Sequence, residues 1–174
     1  MKKRLWIMMA VLLMLLFGWA TMGFADGTVA QTKENYPDAG VRMVIFTCTG
    51  DASDGSIPDT DTNAVMTSFI EGYRLYQVDT YPTSGGTAPD AADVCILDEN
   101  GLDLLGSVDG GTTAYGGLNL IHATLARRAV PDLFIPRNSE HAWYQPLVTG
   151  TLTLTVSNQD TAKANYTVVL SFTK

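Results

Sequence analysis

Hydrophobic residues along this chain recur mostly at the two-residue spacing of strands, and the 3.6-residue spacing of helices is scarce. Val41–Thr49 (VRMVIFTCT) is β-branched and aromatic, and Gly72–Tyr81 (GYRLYQVDTY) is a second such run, closed by Pro82. Along the latter, strict alternation puts Tyr73 and Leu75 on one face and Arg74, Tyr76 and Val78 on the other. Asp93–Asp98 (DVCILD) is almost continuously apolar, as a strand buried on both faces would be. Asn100-Gly101 follows, the strongest two-residue hairpin signal, and predicts Leu102–Leu105 as the return strand.

Near the C-terminus, Leu152, Leu154 and Val156 alternate with Thr151, Thr153 and Thr155. After a polar turn over Ser157–Lys163, the residues Tyr166, Val168, Leu170 and Phe172 share one face. This pattern predicts an antiparallel hairpin with one face in the core and a Thr-rich face toward water. Leu118–Arg128 (LNLIHATLARR) stands apart as a candidate helix. Several short strands with Gly/Pro turns and no βαβ rhythm predict an all-β chain, a single-domain antiparallel β-sandwich. Jelly-roll and immunoglobulin-like strand orders both fit. Long polar loops separate the strands at residues 50–63, 82–92 and 107–117, and loops of that length tend to carry function.

Composition changes this picture at one end. Lys2, Lys3 and Arg4 precede an apolar stretch, and Gly23 and Ala25 occupy positions −3 and −1 of a cut before Asp26. That is the layout of a secretory signal peptide. Leu5 to Ala25 is also 21 uncharged residues, long enough to serve as an uncleaved membrane anchor. The expected organisation is therefore a signal helix over 1–25, an extended segment over 26–40 and the sandwich over 41–174. Residues 26–174 hold 8 basic and 18 acidic residues, a balance of −10 that excludes nucleic-acid binding as a main role. They also hold 20 Thr against 3 Lys, which favours strands. The expected location is exported: periplasmic, cell-surface or extracellular.

Candidate chemistry is thin. In an oxidising compartment Cys48 and Cys95 invite a disulfide that would close 46 intervening residues, worth about 3–4 kcal/mol. The alternative is two buried thiols acting as small hydrophobes. Asp59, Asp61 and Asn63 match the first half of a calcium loop, but Ala64 stands where its Gly belongs and Ile70 where its Glu belongs. A solvated surface loop accounts for the three better than a metal site does. His122 and His141 have no zinc-motif spacing, Ser139-Glu140-His141 does not make a triad, and no Gly-x-Ser-x-Gly is present. The reading is therefore non-enzymatic, without cofactor. Tyr76, Tyr81, Tyr115, Trp143 and Tyr144 make up a possible binding surface, for other protein subunits or a surface glycan.

Five stretches carry a resemblance: Gly72–Pro82, Gly86–Pro89, Ala92–Gly106, Gly117–Ile121 and Tyr144–Asn158. Over about residues 72–174 the chain resembles small, mostly uncharacterised proteins encoded among phage and prophage structural genes. The resemblance implies a virion-accessory-like β-sandwich with a structural or surface-binding role, and carries over no functional residue. The export leader departs from that pattern, since virion parts are assembled in the cytoplasm, and leaves room for a host-surface relative. A second comparison is with pilus subunits, exported sandwiches that assemble by edge-strand pairing. A carbohydrate-binding or carbohydrate-active domain is a third.

Overall fold

A computed structural model describes residues 27–105, 118–131, 133–137 and 140–174, with side-chain detail outside 132–144. The expected signal helix and Tyr115 lie outside the described residues. The chain forms β1 (Thr28–Tyr36), a 3-10 turn (Pro37–Ala39), β2 (Val41–Thr49), β3 (Thr60–Asp61), α1 (Ala64–Ile70), β4 (Arg74–Pro82) and β5 (Ala92–Leu97). Then follow β6 (Leu118–Ile121), β7 (Arg127–Ala129), β8 (Leu133–Arg137), β9 (Glu140–Tyr144), β10 (Thr153–Ser157) and β11 (Asn165–Thr173). One sheet has the order β1-β2-β11-β4-β7, the second β3-β10-β5-β6, and β8-β9 is a separate hairpin. Every pairing between these strands is antiparallel. The chain is an all-β, antiparallel sandwich.

Alternation builds the core from both sides. On the five-stranded sheet, Val44, Phe46 and Cys48 of β2 and Tyr166, Val168, Leu170 and Phe172 of β11 are completely buried. Facing them are Val94 and Ile96 of β5 and Leu154 of β10, and the whole set forms one apolar cluster. Full burial of such a side chain contributes roughly 1.5–3 kcal/mol. Ile70 and Met66 close the cluster from α1.

Strict alternation fails in β4, and the failure has a local cause. The β11 register passes from Ser171↔Gln77 to Phe172↔Leu75, so Tyr76 is the extra residue of a β-bulge. The bulge shifts parity by one, and Leu75 and Val78 both reach the core. The expectation that Val78 lies opposite Leu75 is thereby corrected.

Three further expectations change. β10 and β11 do not pair: β10 joins β5 and β3, whereas β11 joins β2 and β4. Residues 158–164 therefore cross between sheets instead of turning a hairpin, because two inward apolar faces pack equally well across a core. The candidate helix at Leu118–Arg128 is two short strands, β6 in one sheet and β7 in the other. Their link turns at His122, whose Nδ1 accepts from the amides of Thr124 (3.2 Å) and Leu125 (3.3 Å). After Asn100-Gly101 the chain does turn, with Gly101 at φ +80°, but the return makes only an isolated bridge, Leu97↔Asp103. The long partners of β5 are β10 and β6.

The segment expected to lead into the domain belongs to it. Thr28–Tyr36 pairs with β2 along its whole length and forms one edge of the sandwich. The Gln31 side chain ties that edge to the second sheet, donating to the Asp61 carbonyl at 2.7 Å and accepting from the Asn63 amide at 3.1 Å.

No disulfide joins Cys48 and Cys95. Cys48 faces the core from β2, opposite Tyr166. Cys95 sits between inward-facing Val94 and Ile96, so it turns outward with Thr155, on the far side of its own sheet. Burial pushes the Cys48 thiol up to about 12, which leaves it almost without thiolate.

Candidate binding surfaces

The acidic loop closes on itself. Asp51 is buried, and its Oδ1 accepts from the Ser53 amide at 2.5 Å, the Asp54 amide at 3.3 Å and the Ser53 hydroxyl. These donors, the Ser53 hydroxyl foremost, hold the Asp51 carboxyl below the usual carboxylate range. Its carbonyl accepts from the amides of Gly55 (3.2 Å) and Lys163 (2.9 Å), docking the loop on the β10–β11 crossing. Asp54 Oδ1 accepts from the amide and hydroxyl of Ser56 at 3.0 and 2.7 Å. Gly55 is required here: its φ is +80°, and a Cβ would lie 2.5 Å from the Thr161 carbonyl oxygen.

The half-matched calcium residues do not converge. Asn63 is the N-cap of α1, its Oδ1 accepting from the amides of Val65 (3.0 Å) and Met66 (3.1 Å). Asp61 lies in β3, where its Oδ1 accepts from the Thr153 hydroxyl at 2.7 Å. Asp59 is exposed one residue before β3. Among the described residues no three His, Cys, Asp or Glu side chains are grouped to hold a metal.

Of the aromatic candidates, Tyr76 and Tyr81 are each 41% exposed on β4. They flank three buried polar residues, Gln77, Asp79 and Thr80. Asp79 accepts from Gln77 Nε2 at 2.5 Å and from Arg128 Nε at 2.6 Å, the only ion pair among the described residues. Trp143 and Tyr144 lie in β9, paired in register with Phe134 and Leu133. His141 is in the same strand, opposite Pro136.

Two concavities among the described residues bear on binding. One, of about 570 Å³, lies at the end of the sandwich and includes Thr28, Thr49, Gly86, Thr87, Lys163 and Asn165. Its polar groups largely engage one another: the Thr49 hydroxyl donates to Asn165 Oδ1 at 3.2 Å, and Asn165 Nδ2 donates to the Lys163 carbonyl at 2.7 Å.

The other, of about 500 Å³, lies between α1 and the β1–β2 edge and is lined by Lys33, Arg42, Ala64, Val65, Ser68 and Phe69. Lys33 and Arg42 lie on the core-facing side of their sheet, in register with Val44 and Phe172, Arg42 half-buried and Lys33 exposed at the rim. The Phe69 ring has Lys33 Nζ and the Arg42 guanidinium each 4.8 Å from its centroid, and Arg42 also lies 4.1 Å over Tyr73. Arg42 Nη1 donates to the Phe69 carbonyl, while Arg42 Nε is buried without an acceptor.

The strand pattern of the sequence does not show this second pocket, because the short helix α1 forms one of its sides. Asn63 followed by Met66 and Ile70 is a cap and a short apolar face, a helix signal that the calcium-loop match of Asn63 obscures. No helix among the described residues is long and apolar enough to cross a membrane. Compared with known proteins, the chain matches no family model, no curated protein and no solved structure.

Proposed function

We propose that this chain is an exported, non-enzymatic sandwich module with a structural or surface-binding role, of the kind its resemblance to phage and prophage accessory proteins implies. The supporting observation is the edge strand β1, nine residues long, mostly exposed and, among the described residues, paired on one side only. Such an edge offers a row of backbone donors and acceptors to a partner strand. Lys33 and Glu34 in its second half restrict which strands can add there. The same edge favours the second reading, a pilus-like or adhesive subunit, in which the partner is another copy of this chain.

A photo-crosslinking residue at Thr32, with a control at exposed Leu102, tests both in producing cells. A discrete adduct from Thr32 alone is expected. Its mass distinguishes a different subunit from a second copy. No Thr32 adduct, or the same products from both positions, would contradict the edge as the contact surface.

A further inference from the structure

We propose that the pocket beside α1 binds a compact oxyanion, a phosphate or a carboxylate, held by Lys33 and Arg42 with the Ser68 hydroxyl beside them. The edge-strand reading concerns the β1 backbone and this one the side chains beside α1, with Lys33 common to both.

The charge arrangement is the first ground. Lys33 Nζ and the Arg42 guanidinium each lie 4.8 Å from one ring centroid, so they are at most about 10 Å apart, within a Debye length at 0.1 M salt. Neither has a carboxylate partner, because the only ion pair among the described residues is Arg128–Asp79. The chain carries 18 acidic against 11 basic residues, so two cations left unneutralised in one concavity run against its composition. Their mutual repulsion falls when an anion sits close to both.

Pre-positioning is the second. Arg42 is fixed by its bond to the Phe69 carbonyl and by stacking on Phe69 and Tyr73, so little side-chain freedom remains to be lost on binding. Its Nε is buried with no acceptor, so the guanidinium is left short of hydrogen bonds by its own chain. Ala64, Val65 and Phe69 add apolar lining beside the two cations. A volume of about 500 Å³ falls in the range of small-ligand sites.

The test is an amide chemical-shift titration of the ¹⁵N-labelled protein at pH 7 and constant ionic strength, with sodium phosphate and sodium propionate in separate arms. Saturating shifts centred on Lys33, Arg42, Ser68 and Phe69 are expected in at least one arm, and the arm that saturates identifies the oxyanion. Lys33→Gln, an exposed change that leaves the core intact, is expected to weaken binding about tenfold. Lys163→Gln, in the other concavity, is expected to leave it unchanged. Saturation in neither arm, or equal weakening by the two substitutions, would overturn the proposal.

Discussion

Between Gly50 and Asn63 most polar side chains find partners nearby in the fold, whereas a few residues later, beside α1, two cations have no opposite charge. The two regions adjoin in sequence and share Asn63, which ends the loop and caps the helix. Asp51 and Asp54 accept from their own turn, Asp61 accepts from Thr153, and the loop is docked on the chain near Thr161 and Lys163. Lys33 and Arg42 instead rest on aromatic rings, with no carboxylate partner among the described residues. The difference teaches that a density of charged residues in the sequence does not locate a site. What locates one is charge that the fold itself leaves unanswered.

The largest way to break this comparison is Gly55→Ala. It places a Cβ 2.5 Å from a backbone oxygen at a positive φ and is expected to cost about 3 kcal/mol in urea unfolding at unchanged m-value. A cost below about 0.5 kcal/mol would mean that the loop opens easily and is not the closed unit described.

Asp51→Asn probes the same loop through pH. The folded-state carboxyl of Asp51 lies below its ordinary value, so the unfolded chain binds its proton first. Its stabilisation is therefore complete above about pH 4 and is lost as pH falls through the lowered folded-state value. The substitution is expected to lower stability at pH 7 and to flatten the acid limb of the stability profile. An unchanged acid limb would show that the carboxylate is not held by its donors.

A third place sharpens the rule from inside the core. Tyr166 is completely buried and its hydroxyl has no hydrogen-bond partner among the described residues. Tyr166→Phe removes that unanswered group and is expected to stabilise by about 1 kcal/mol. Destabilisation of that size would mean the hydroxyl has a partner after all. The smallest effect belongs to Lys33→Gln, which is expected to change stability by less than about 0.5 kcal/mol while weakening anion binding. A larger loss would make Lys33 a structural residue.

The segments of β2, β4, β5, β10 and β11 were legible because alternation reports which residues share a face. Partners were not legible, because a hairpin and a crossing between sheets leave the same pattern. Leu152, Leu154 and Val156 fit either, and only the register places β10 and β11 in different sheets. In Leu118–Arg128 the apolar residues Leu118, Leu120, Ile121 and Leu125 fit both periods over so short a span. Cysteine count suggested a bond that parity forbids, since Cys48 turns into the core and Cys95 out of its sheet. The pocket was hidden because it needs residues 33, 42 and 69 together, and only folding brings them to one ring.

The contrast between engaged and unanswered charge is tested most directly on one labelled sample titrated with calcium chloride and, separately, with sodium phosphate or propionate. Calcium is expected to leave the amides of Asp59, Asp61 and Asn63 without a saturating shift, while an oxyanion moves those of Lys33, Arg42 and Ser68 to saturation. Saturating calcium shifts in the loop, with none at α1 from either anion, would contradict it.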